Sequence, residues 1–307
     1  MNNMDINFLL SKYSDDIDRI CNKYKYDVNI KHLIKLILVL FITKYGIKNE
    51  KAIISCFENT KIIVNKAKRT FEEAYFYRKL IYIDTYEIYK YIVINEFKKE
   101  TYIDLIDTII HEFNHVANSI NNEIMIDEKY IYLRTGISYI KYDKNDINNV
   151  IGKTQEFVLE EIINTKQTEE IINLINNIDI NNIRSVEFRN FISVIKNEIK
   201  EKTYSSKAYF LESKIMQDLL NNKTFISTLE NLRFLGKIND IEDWFDSIIG
   251  KKGEYKRLNI NLNEIINLED EYLKKIFSRF IIKYKLKNRA NTVKQIVNEF
   301  NNSCNYR

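Results

Sequence analysis

The alternation of apolar and polar residues divides the chain into helical and strand-rich stretches in a definite order. Residues 5–24, 29–47 and 51–59 carry apolar positions at helical spacing, the second closed by Gly46, and predict two or three helices. From Lys61 the pattern turns β-branched and aromatic: KIIVNKA (61–67), RKLIYID (78–84) and YEIYKYIVIN (86–95) read as strands, with Asp84-Thr85 as a turn. The last alternates from Ile88 to Ile94 as a half-buried strand does. TYIDLIDTIIHEFNHVANSINN (101–122) returns to a period of about 3.6 residues, with Ile103, Ile106, Ile109, Ile110, Phe113, Val116, Ala117 and Ile120 on one face. Thr101 and Asp104 stand at capping-box spacing. Short strands follow over 123–127, 129–134 and 136–142, with Gly136 permitting a bend, then a helix over 152–175. Stretches 186–200, 205–220, 224–236, 241–250 and 262–284 continue helical. This order predicts an α+β fold, a strand-rich middle flanked by helices.

The helix over 101–122 holds two of the three histidines, His111 and His115, with Glu112 directly after the first. Positions i and i+4 of a helix share a face, so both imidazoles can reach one ion, while Glu112 lies about 100° around the axis. That is the HExxH arrangement of zinc hydrolases, in which neutral imidazoles hold Zn²⁺ and the glutamate takes a proton from the attacking water. The third histidine, His32, precedes the most apolar helix and reads as a helix-start residue. A catalytic zinc site needs a third protein ligand, and with the histidines exhausted that ligand is expected to be a carboxylate. Glu156, Glu160 and Glu161 lie near the start of the helix over 152–175.

Composition narrows the field little. With 47 basic and 43 acidic residues the net charge is +4, which argues neither for nucleic acid nor for a membrane surface. The basic residues Lys274, Lys275, Arg279, Lys283, Lys285, Lys287 and Arg289 are interleaved with Phe277, Phe280 and Ile282 and read as a solvated helix face. Trp244 and Phe245 read as core or interdomain anchors rather than as a ligand cage. Cys21, Cys56 and Cys304 are odd in number and far apart, as reduced thiols would be. The apolar run Leu33–Thr43 is broken by Lys35 and too short to span a bilayer. MNNMDINFLL carries no basic n-region, so the expected location is cytoplasmic.

HEFNH (111–115) resembles the first motif of the gluzincin class of zinc metallopeptidases, and LEEIINT (159–165) resembles their second-helix pattern of leucine, asparagine and glutamate. Aligning Leu159 on that leucine puts Glu161 at the ligand position and Glu160 at the asparagine; Ile162 stands where a small residue often follows. The resemblance implies a zincin-like core over 61–180, in which a small twisted sheet lies above the HExxH helix and a second helix delivers the glutamate. Mostly helical regions over 1–60 and 181–307 would flank it. It also implies an open strand edge, expected over 129–142 or 87–95, that holds an extended peptide. An oxyanion donor is expected too, and Tyr209 is the leading tyrosine, with Tyr204 and Tyr139 as alternatives.

The chain thus reads as a zinc metallopeptidase with Glu112 as general base, His111, His115 and Glu161 as metal ligands, and a peptide or protein as substrate. No nucleic-acid or membrane partner is expected. The competing reading is a non-catalytic helical interaction protein, contacting nucleic acid through its C-terminal basic residues, in which HEFNH is accidental or a relic.

Overall fold

The computed structural model describes residues 5–65, 74–80, 88–95, 102–152, 157–201 and 220–266. The protein is α+β, mostly helical, with two small sheets among the described residues. It divides into two compact units, one of residues 1–120 and 164–205, the other of residues 121–163 and 206–307. One helix, Phe157–Asn173 (α6), is continuous through the boundary.

In the first unit the helices are Ile6–Lys12 (α1), Ser14–Tyr24 (α2), Val28–Tyr45 (α3), Glu50–Asn59 (α4), Tyr102–Ala117 (α5), the body of α6 and Val186–Glu201 (α7). Asp27 caps α3 by accepting from Ile30 N–H at 2.9 Å, and Gly46, at φ +83°, ends it. Every residue from Leu36 to Ile42 is buried, so α3 is apolar on all sides and forms the middle of the core. Phe57 of α4 stacks on Phe113 of α5 at 4.2 Å between ring centroids, and Phe41 of α3 meets both edge-on. Such rings bury large apolar area and prefer offset or edge-on contact. His32 of α3 packs its ring 5.7 Å from Phe188 and 5.6 Å from Phe191 of α7.

Burial pushes the His32 imidazole below its ordinary value; Lys35 adds to this, and Glu187 pulls the other way. The unfolded chain, titrating near pH 6.5, therefore binds more protons than the folded one just below that pH. Stability contributed by neutral His32 is present above about pH 6.5 and declines as the pH falls through the lowered folded value. Unfolding midpoints taken from pH 7.5 to 5 should show the parent losing stability relative to His32→Gln. A parent-minus-variant difference that stays constant over this range would contradict the assignment.

The first sheet contains Lys61–Asn65 (β1), Ala74–Leu80 (β2) and Ile88–Asn95 (β3), in the order β1-β3-β2. β3 runs parallel to β1 and antiparallel to β2. The second sheet, in the other unit, is the antiparallel meander of Ile124–Ile126 (β4), Tyr130–Thr135 (β5), Ser138–Asp143 (β6) and Asp146–Val150 (β7). The strands over 61–142 thus form two sheets where one was expected. The expected open edges also move: β3 is a middle strand, with Ile92 and Val93 both buried, and β5 and β6 lie inside the meander. The outer strands described are β1, β2, β4 and β7. The turn expected at Asp84-Thr85 lies outside the described residues.

The second unit also holds the first turns of α6 and the helices Lys223–Leu235 (α8), Ile238–Ile249 (α9) and Glu254–Ile266 (α10). Leu159 and Ile162 of α6 share its core with Phe225 of α8, Phe245 of α9 and Leu258 of α10, and Trp244 packs against it. Asp246 of α9 accepts from the N–H groups of Gly253 and Tyr255, satisfying two of the donors that open α10. Phe245 is therefore a core position, with the half-buried Trp244 packed against it. The basic residues from Lys274 onward lie outside the described residues. No described helix is long and apolar enough to cross a membrane.

Candidate metal centre

Helix α5 forms where its apolar stripe predicts. Ile103, Ile106, Ile109, Ile110 and Phe113 are fully buried, and burying side chains of this size stabilises by roughly 1.5–3 kcal/mol each. Thr101, expected to cap the helix, lies outside the described residues. One first-turn N–H, that of Ile103, donates at 2.8 Å to the Glu198 carboxylate of α7.

With that face fixed to the core, His111 and His115 share the neighbouring face, their rings edge-on at 4.9 Å. His111 and Glu112 are half-buried, whereas His115 is 5% exposed. Glu161, in the second turn of α6 and 9% exposed, completes a cluster in which one ligand atom of each residue lies within 4.8 Å of the others. Metal–ligand bonds of about 2.0–2.2 Å set the donors of a tetrahedral ion roughly 3.3–3.6 Å apart, so small side-chain rotations would close this set on one ion. Two imidazoles and a carboxylate suit a divalent metal, and the three residues could hold one.

Backbone groups of the histidines are tied down as well. The His115 carbonyl accepts from Ser119 Oγ at 2.6 Å, and the His111 carbonyl accepts from Asn164 Nδ2 at 2.9 Å. Asn118 and Ser119, in the turn after His115, are both buried.

Glu160 and Glu161 adjoin in sequence but point about 100° apart on the helix, so their surroundings differ. Glu160 is 1% exposed and is engaged by Arg233 of α8, itself fully buried, whose Nε donates to it at 2.9 Å. The same carboxylate accepts from Ile137 N–H at 2.9 Å. Gly136, at φ +58° in the two-residue β5–β6 turn, lies so close that a Cβ there would sit 2.0 Å from a Glu160 oxygen. Glycine is required there by both backbone and space. Arg134, also fully buried, donates to the carbonyls of Asn121, Asn122, Gly136 and Arg233. Glu160 thus belongs to an ion pair fastening α6, the β5–β6 turn and α8.

Of the other candidates, Glu156, Tyr204 and Tyr209 lie outside the described residues. Tyr139 is half-buried on β6 with its ring edge-on to Tyr132 at 5.6 Å, and His32 packs in the aromatic stack described above. Sequence reasoning passed over Arg233, although it continues the apolar stripe of Phe225 and Leu229 at i+4, a place where an arginine needs a buried acid. Comparison with protein-family models, curated proteins and solved structures returned no match.

Proposed function

We propose that the protein is a zinc-dependent metallopeptidase of gluzincin type, with His111, His115 and Glu161 as the zinc ligands and Glu112 as general base. The observation that carries the reading is the convergence of both HEFNH histidines with a carboxylate delivered by a different helix, the donor set of a catalytic rather than a closed structural site. A bound zinc ion would polarise the scissile carbonyl and acidify water beside it. Glu112 follows His111 on α5 and is half-buried, so it keeps contact with solvent. Its carboxylate takes a proton from the attacking water and returns it to the leaving amine nitrogen as the C–N bond breaks. His111 and His115 would hold the ion through ring nitrogens. Their backbone carbonyls, held by Asn164 and Ser119, fix the helical turn that aims both rings.

The zincin-like arrangement of the core, a peptide or protein substrate without nucleic-acid or membrane partners, a cytoplasmic location and Tyr209 as oxyanion donor belong to the same proposal. Metal analysis of protein purified without a histidine tag tests the reading. One zinc per chain after loading and gel filtration is expected, falling to a small fraction in His115→Ala. A parent chain that retains no zinc would leave the interaction-protein alternative in its place.

A further inference from the structure

Beyond the proposed ligands, the face that α5 turns toward α6 is built of buried amides. Asn114 on α5, Asn118 just past its last residue, and Asn164 and Gln167 on α6 are all fully buried, an unusual density of uncharged polar groups. Asn114 Nδ2 donates to Asn164 Oδ1 at 2.8 Å and to Gln167 Oε1 at 3.1 Å. Asn118 Nδ2 donates to the Tyr45 hydroxyl of α3 at 2.7 Å, and that hydroxyl donates in turn to Asn114 Oδ1. Asn164 uses its own Nδ2 on the His111 carbonyl at 2.9 Å. The pairings advance in the same direction along both helices, from His111 with Asn164, through Asn114 with Gln167, to Asn118 beside Gln167 at 3.4 Å.

Apolar faces tolerate sliding, because one leucine replaces another; buried amides do not, since a slip strands each one without a partner. Asn114 lies between the two histidines in sequence, and Asn164 is one turn after Glu161. The ladder is therefore registered on the metal-ligating residues of both helices, and a slip of one turn, about 5.4 Å, would carry Glu161 out of reach of the imidazoles.

We propose that Asn164, seated by Asn114 and Gln167 and backed by Tyr45, is a positioning residue of the metal centre: this amide ladder holds the glutamate helix in the one register that brings Glu161 to His111 and His115. The inference rests on the zinc reading above. It assigns to these amides a role in metal affinity that a ladder serving only to stabilise the fold would not have.

The test is zinc affinity by chelator competition, together with the visible spectrum of the Co²⁺-loaded chain, for the parent, Asn164→Leu, Asn114→Leu and the control Ile171→Val. Ile171 is fully buried on α6 outside the ladder, so its variant perturbs packing alone. Zinc affinity should fall about 10–100-fold in both ladder variants, the range seen when groups supporting ligands are lost, and stay at the parent value in Ile171→Val. The Co²⁺ bands of the ladder variants should weaken, as they do when a four-coordinate site opens. Folded ladder variants with parent affinity and spectrum would overturn the inference while leaving the zinc reading intact. A parent chain that binds no zinc overturns both. Where the leucine variants fail to fold, hydrogen exchange on the parent decides: zinc should slow exchange in 111–118 and 161–168 together, and protection confined to α5 would refute the coupling.

Discussion

In the proposed zinc peptidase, Glu112→Gln should abolish peptide hydrolysis while leaving one zinc per chain. The amide keeps the size of the carboxylate and can still hydrogen-bond, but it cannot accept a proton from the attacking water. General-base contributions of this kind are about 10²–10⁴-fold, so residual turnover at or below one part in a hundred is expected. Glu112 stands outside the converging cluster of His111, His115 and Glu161, so zinc affinity should remain near the parent value. His115→Ala, by contrast, should lose metal and activity together. The measurement is paired: zinc content on the same preparation used for cleavage of an unstructured protein substrate. Loss of zinc in Glu112→Gln would make the glutamate a ligand, and undiminished turnover would remove it from the reaction.

Local patterns made part of this site legible. The stripe from Ile103 to Ala117 set the rotation of α5 about its axis, and with it the direction of both histidines, because burial of one face of a helix decides where the other faces point. Strand partners were not legible in the same way. The run Ile88–Asn95 looked like a strand and is one, yet whether it lies in the middle or at an edge depends on β1 and β2, a matter of long-range pairing. The strand β7, DINNV, went unseen because it is almost wholly exposed and has no apolar alternation to betray it. Helix α5 ends at Ala117, short of the expected 122, and Asn122 adopts φ +51°, a left-handed conformation that asparagine tolerates. The alignment of Leu159 already set Glu161 apart from Glu160; the role of Glu160 was not legible, because its partner Arg233 lies far along the chain. The ladder of Asn114, Asn164 and Gln167 was hidden for a related reason, since amides on a polar-looking face read as solvated unless a second helix is known to cover them.

That buried arginine supports the second large effect. Arg233→Met should destabilise the unit containing Trp244 by about 3–5 kcal/mol, the cost of leaving one partner of a buried ion pair without its countercharge. With total stabilities of roughly 5–15 kcal/mol, this is enough to bring the unit close to unfolding at 37 °C. Arg233 and Glu160 are both sealed from solvent, so water cannot take the place of the lost partner. The double variant Arg233→Met/Glu160→Met should be more stable than Arg233→Met alone. Removing both charges eliminates the carboxylate that has lost its arginine, while the Ile137 N–H loses that acceptor, at about 1–3 kcal/mol. Denaturant unfolding followed by fluorescence reads this directly, because Trp244 is the chain's one tryptophan and packs against the affected core. Single variants costing less than about 1 kcal/mol, or a double variant equal to the sum of the two singles, would show that the pair is not coupled as its geometry implies. The consequence extends to the proposed metal centre. Glu161 is the next residue along α6, so a chain that has lost the Glu160–Arg233 contact, even where it still folds, should hold zinc less tightly than the parent.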